Sequence, residues 1–202
     1  HQPTLALVAL ACLAPSFVAL GDVIVVDDSG GGDFTYIQGA IQAASDGDVV
    51  LVKPGDYADF LIDGKSVAVV AATLGTVTSS GGAVILDLAA GQEVLLSGLV
   101  LRGHELALEH GLSVKNCAGA VRLEACTFQG IARLPGDPKG TSYSGATVEG
   151  SAAVSFEGCT LLGGPGAIGT FPCSSGTAQG AGAALAIGGS SVAIHGSSVA
   201  GG

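Results

Sequence analysis

An eleven-residue phrase recurs four times in this chain, as EVLLSGLVLRG ending at Gly103, AVRLEACTFQG ending at Gly130, AVSFEGCTLLG ending at Gly163 and SVAIHGSSVAG ending at Gly201. Each copy carries Val second, a larger apolar residue fourth, a small residue sixth and Gly last. Such self-similarity marks a chain that winds repeatedly past the same corners. The second and fourth positions are Val94 and Leu96, Val121 and Leu123, Val154 and Phe156, and Val192 and Ile194. They alternate with residues such as Leu95, Arg122, Ser155 and Ala193, a period of two that predicts a strand with one face inward and one in solvent. The small sixth residue (Gly98, Ala125, Gly158 or Gly196) predicts a bend where backbone approaches backbone. A second short strand then turns Leu99, Cys126, Cys159 and Ser197 inward.

A strand, a bend and a second strand cannot bury their own inner face. Successive copies must stack, like residue over like, at about 4.8 Å. The expected fold is therefore all-β, a single-stranded parallel β-helix. The four Val positions are separated by 27, 33 and 38 residues, and the increments fall between one terminal Gly and the next opening strand. The insertions are Ile131 to Gly145 and Gly164 to Gly182. Both leave the coil after the same corner, so they are expected side by side on one edge, where solenoids build binding faces. Arg133, Tyr143 and Phe171 are the contact residues expected there, because guanidinium and aromatic groups supply most of the contact energy of exposed sites.

With 34 Gly, no Trp, no Met and 4% aromatic residues in 202, the composition suits a thin, turn-rich solenoid better than a globular core. Residues 1–21 read as the remnant of a secretory signal: Leu5 to Leu20 is rich in Leu, Ala and Val and has no Asp, Glu, Lys or Arg. A hydrophobic first coil is the alternative. The run is short for a membrane span. Residues 22–202 read as one β-helix domain, cut near a coil boundary at its end and belonging to a longer precursor. Export implies a secreted or cell-surface location. The net charge of −10, with seven scattered basic residues, excludes the basic stripe that nucleic acid requires. A neutral glycan or another protein suits that charge better.

The segment DVIVVDDSGGGDFTYIQGAIQAASDGDVVLVKPGDY, from Asp22 to Tyr57, has its own reading. Val23 to Val26 forms a strand that ends in a Gly-rich turn, and Thr35 with Gln38 forms a capping box before a short helix. Ile37, Ile41 and Ala44 share one face of that helix, suited to covering an open coil end, so residues 33 to 46 are the expected cap. Asp46 to Asp48 stops the helix, and Val49 to Val52 forms the next strand. The pattern Gly30 to Gly32, Asp33 to Thr35, Ile37-Gln38, Ala40-Ile41, Ala43-Ala44, Val52 to Gly55 and Tyr57 resembles the opening of right-handed parallel β-helix proteins of the pectate-lyase-like superfamily, most closely that of pectin methylesterases. The likeness covers about 45 residues and implies right-handed winding. It lies in the cap and not in the catalytic coils. The Gln-Asp-Thr and Gly-x-Val-Asp-Phe motifs of those esterases do not occur here, nor do the Asn-Thr-Asp, Asp-Asp and Gly-His-Gly signatures of polygalacturonases.

Other clusters weigh less. His104, Glu105, Glu109 and His110 in RGHELALEHG would, in a strand, put the histidines on one face and the glutamates on the other, which suits neither a metal nor an acid–base pair. Glu124 and Glu157 occupy one outward column, with Arg122 placed to relieve their repulsion. Asp22, Asp27, Asp28 and Asp33 offer hard oxygen ligands for calcium, although turn-forming and helix-capping roles account for them as well. No other cofactor is implied. Cys117, Cys126, Cys159 and Cys173 are even in number, which suggests disulfides in an exported chain. Cys126 and Cys159 align as an inward sulfur stack, whereas Cys117 and Cys173 have no aligned partner. The reading is an exported, non-catalytic scaffold whose insertions contact glycan or protein. Its rival is a carbohydrate-active enzyme whose catalytic coils lie beyond Gly202. Because SVAIHGSSVAGG closes a phrase without an amphipathic cap, Val192, Ile194 and Val199 are expected either to pair with a neighbouring chain in end-to-end self-association or to belong to a longer coil.

Overall fold

The computed structural model describes residues 21–104, 110–131, 143–165 and 185–201. Strand β1 (Val23–Val26) leads into helix α1 (Ile37–Ala43), and the first coil follows as β2 (Asp48–Val52), β3 (Gly55–Tyr57) and β4 (Phe60–Asp63). The second coil is β5 (Val67–Ala71), β6 (Val77–Ser79) and β7 (Ala83–Leu86), and the third is β8 (Glu93–Ser97), β9 (Leu99–Arg102) and β10 (Leu112–Lys115). Then come β11 (Ala120–Glu124), β12 (Thr127–Gln129) and β13 (Ala146–Glu149), followed by β14 (Ala153–Glu157), β15 (Thr160–Leu162) and β16 (Leu185–Gly188). The last strands are β17 (Val192–His195) and β18 (Ser198–Ala200).

Corresponding strands stack in sequence order into three all-parallel sheets: a first of seven strands (β1 to β17), a second of six (β3 to β18) and a third of five (β4 to β16). The molecule is a parallel β-solenoid. Each phrase supplies a strand of the first sheet and one of the second. The third sheet lies outside the phrase: LSVK, ATVE and LAIG, the sequences of β10, β13 and β16, share only a loose alternation. The stacking register joins Val94, Val121, Val154 and Val192 in one column. Leu99, Cys126 and Cys159 sit at equivalent inward places and are buried. Phe128 and Phe156, both fully buried, meet edge to face with centroids 5.8 Å apart, an arrangement that adds about 0.5–1.5 kcal/mol beyond area burial.

The corner between the first and second sheets explains the small sixth residue of the phrase. Gly98, Ala125, Gly158 and Gly196 all have left-handed backbones, with φ of 75°, 51°, 60° and 57°. Gly adopts this without a Cβ penalty, and Ala125 is the copy that bears one. The next residue turns inward and answers the carbonyl two places back. Cys126 Sγ donates to Glu124 O, Cys159 Sγ to Glu157 O, and Ser197 Oγ to His195 O. A second such column stands at the corner between the third and first sheets, where Cys117, Ser151 and Ser190 bond the carbonyls of Lys115, Glu149 and Gly188. Cys117 therefore does have aligned partners, and they are serines.

Cys117, Cys126 and Cys159 are free thiols. The disulfides expected from an even cysteine count are not formed among them, because each sulfur serves as a buried corner donor. Cys173 lies outside the described residues.

Helix α1 covers the solenoid's first end with Ile37, Ala40 and Ile41 buried, and Ala44 beside them. The capping box expected of Thr35 and Gln38 is absent: the N-cap is Tyr36 and has no side-chain bond. Gln38 is engaged elsewhere. Its Oε1 accepts from Leu61 N at 2.7 Å and its Nε2 donates to Leu61 O at 3.2 Å, which occupies the backbone of β4, the outermost strand of its sheet. At the other helix end the Lys65 ammonium donates to the carbonyls of Ile41, Gln42 and Ala44, where both the orphan acceptors and the helix dipole favour a cation.

Candidate functional site

The three corners of the coil differ in how much chain they carry. Between the first and second sheets no connection after β2 exceeds five residues (72–76), and between the third and first none exceeds six (87–92). Between the second and third sheets the connections grow along the axis, from two residues (58–59) and three (80–82) to nine (103–111), sixteen (130–145) and twenty-two (163–184). This places both predicted insertions at one corner. It also adds a third long connection, 103–111, which the fixed length of the phrase concealed. Of RGHELALEHG, Arg102 ends β9, Gly103, His104 and His110 lie in no strand, and residues 105–109, which hold Glu105 and Glu109, fall outside the described residues.

At the roots of these connections is a concavity of about 490 Å³ lined by Arg102, Gly103, Gln129, Gly130, Ile131 and Pro165. Each of the three long connections contributes at least one residue. Arg102 and Gln129 are neighbours in register at the ends of β9 and β12. Arg102 is exposed and makes no ion pair with a described residue. The floor is fixed by the ladder itself: Gly103 N donates to Gln129 O at 2.8 Å, and Gly130 N to Leu162 O at 2.9 Å. A Cβ on Gly130 would lie 2.0 Å from Tyr143 O, so only glycine lets the returning connection pass this close.

Of the contact residues expected from sequence, Arg133 and Phe171 lie outside the described residues. Tyr143 is described, and it is 7% exposed, packed edge-on against His110 at 5.8 Å between centroids. Its backbone links the two insertions, with Tyr143 N donating to Ile131 O at 3.2 Å and its carbonyl accepting from Gly164 N at 2.8 Å. The ring is turned into the protein where an exposed contact was expected. Ser144 N donates to His110 Nδ1 at 3.1 Å. Nδ1 also lies 3.3 Å from Ser144 O, so the Ser144 backbone meets the ring in either tautomer, and the first and second long connections are tied at their bases.

The other clusters resolve into structural roles. Glu124 and Glu157 are stacked in register, and Arg122 bridges Glu124 at 2.8 Å and Glu93 at 3.2 Å. Asp27 accepts from Ser29 and, at 2.9 Å, from Lys53. Those hydrogen bonds, Ser29's side chain first, hold its carboxyl down at about 2. Asp33 accepts from Val25 N at 2.8 Å. These aspartates fasten the Gly-rich turn. Among the described residues no three His, Cys, Asp or Glu side chains converge as metal ligands, and no helix is long and apolar enough to cross a membrane.

No protein-family model matches the chain, and no curated protein matches it.

Proposed function

We propose that this chain is an exported, non-catalytic right-handed β-helix scaffold that binds a neutral glycan through the corner between its second and third sheets. Right-handedness follows the preference of parallel crossover connections and the likeness of the cap to pectate-lyase-like proteins. The observation that carries the binding reading is the lengthening of connections at one corner only, with a concavity at their roots. Loops on a rigid scaffold are where binding residues concentrate. Its lining is mixed in the way a sugar requires: Ile131 and Pro165 offer apolar surface to the C–H face of a ring, while Arg102, Gln129 and nearby backbone offer hydrogen bonds to hydroxyls. The excess of acidic residues, 17 against 7 basic, disfavours polyanionic sugars.

A glycan array probed with the purified protein tests the reading. Binding to neutral oligosaccharides should fall at least about tenfold, or about 1.4 kcal/mol, in Arg102→Ala combined with Gln129→Ala. Affinity unchanged by that pair, or retained after residues 132–142 and 166–184 are replaced by short Gly-Ser links, rejects the corner as the site. Heat-sensitive release of methanol from methylated pectin, or of unsaturated product from pectate with calcium, rejects the non-catalytic part.

A further inference from the structure

We propose that the glycan is an extended β-1,4-linked hexose chain that lies along the solenoid axis on the outward face of the second sheet, one sugar to a coil. The inference rests on the glycan reading and adds to it the linkage, the direction and the face. Two sheet faces meet at the loop-bearing corner, and only one of them is open. On the third sheet the outward column runs Leu61, Val84, Ser113 and Thr147 in register. Leu61 is exposed, but Ser113 and Thr147 are buried, and the Thr147 hydroxyl already donates to the Leu112 carbonyl. A long ligand cannot track a face that closes after two coils.

On the second sheet the outward column runs Thr78, Val100, Thr127 and Thr160 in register. All four are partly exposed. The hydroxyls of the three threonines bond no described residue. Beside them stands a second outward column, Arg102, Gln129 and Leu162, at the foot of the long connections. On the other side the exposed bend residues Ala125 and Gly158 are too small to form a wall. The result is a shelf parallel to the axis, with a floor of threonine and valine, a wall on one side, and the concavity of about 490 Å³ in the angle between them.

The period of the shelf selects the ligand. Like contacts recur along the axis at about 4.8 Å. A β-1,4-linked hexose chain is an extended ribbon whose rings advance by nearly that step, so each ring can rest on its own coil. Ring C–H groups then meet the threonine and valine methyls, while hydroxyls meet the threonine oxygens and the polar groups of Arg102 and Gln129. An α-1,4-linked chain curves, and it leaves the shelf after a ring or two. The floor residues include no aromatic ring, so each contact is weak and affinity has to accumulate with length.

Isothermal titration of the 202-residue protein with β-1,4-linked gluco- and manno-oligosaccharides of one to six units, and with α-1,4-linked gluco-oligosaccharides of the same lengths, tests this. Affinity for a β-linked series should rise at least about tenfold from one unit to four and then level off as the shelf runs out. The α-linked series should stay near its one-unit value. Thr127→Val with Thr160→Val preserves shape and strand propensity and removes two hydroxyls, so it should weaken the four-unit ligand at least about threefold. Ser155→Arg, on the outward face of the first sheet, should leave binding unchanged. Circular dichroism identical to that of the parent confirms that each variant is folded. Affinity independent of length, α-linked chains bound as tightly as β-linked ones, or a four-unit ligand indifferent to the threonine pair overturns the axial arrangement and leaves the corner site standing. Binding of other neutral sugars but of neither β-linked series also overturns it. Binding of no neutral sugar at all removes the glycan reading as well.

Discussion

At the scale of single residues, the corner between the first and second sheets sets the rule and Ala125 bends it. Its φ of 51° carries a Cβ cost of roughly 1–2 kcal/mol that the glycines above and below avoid, partly offset because Ala has less unfolded-state freedom to lose than Gly. Ala125→Gly should therefore stabilise the fold by about 0.5–1 kcal/mol, read as a rise in the denaturant midpoint with an unchanged m-value. Loss of stability would mean the strain is relieved locally. The cysteine that follows is held neutral by its surroundings. Burial pushes the Cys126 thiol up to about 12, from an ordinary 9.0, and burial also raises Cys159. A thiol whose folded value is raised keeps its full contribution below the unfolded value and loses it as pH climbs towards the folded one. Stability should be flat below about pH 8 and fall between pH 9 and 12, and Cys126→Ser with Cys159→Ser should remove most of that fall. Serine suits both places, because Ser197 already fills the same position one coil later.

At the scale of elements, the phrase made the first and second sheets legible, because bulky residues alternate there with a small residue always sixth. The third sheet escaped it. Strands such as LSVK and ATVE are four residues long, and each follows a connection of changing length, so no fixed spacing ties them to the phrase. The helix was legible through the shared face of Ile37 and Ile41, but its termini were not. Gln38 and Lys65 act across 23 and 24 residues on Leu61 and Ile41, and such contacts leave no local signal. The candidate site was legible as two insertions at one corner. Its lining was not, since Arg102 and Gln129 become neighbours only through strand register. The tertiary cap makes a prediction of its own. Lys65→Met keeps the apolar stem and removes the ammonium, so the carbonyls of Ile41 and Ala44 lose their donor. The cost should be about 1–3 kcal/mol for charge-assisted bonds, with faster amide exchange confined to α1 and β4; exchange that changes elsewhere or not at all would contradict this role.

At the scale of the whole molecule, a solenoid is nearly one-dimensional, because each coil rests only on its neighbours and stability spreads along the axis from coil to coil. The two ends are unequal here. One is closed by α1, Gln38 and Lys65, whereas at the other the inward residues Ile187, Ile194 and Val199 remain exposed. Coils in the middle, where Leu96, Leu123 and Phe156 are all fully buried, must open against neighbours on both sides. Native-state hydrogen exchange in dilute solution should therefore show greatest protection in β8 and β11 and a decline through β14 to β17. The last strand should exchange at least about tenfold faster than β11, a difference of about 1.4 kcal/mol in opening free energy. Protection that is uniform along the axis would show that the chain opens as one cooperative unit and not coil by coil.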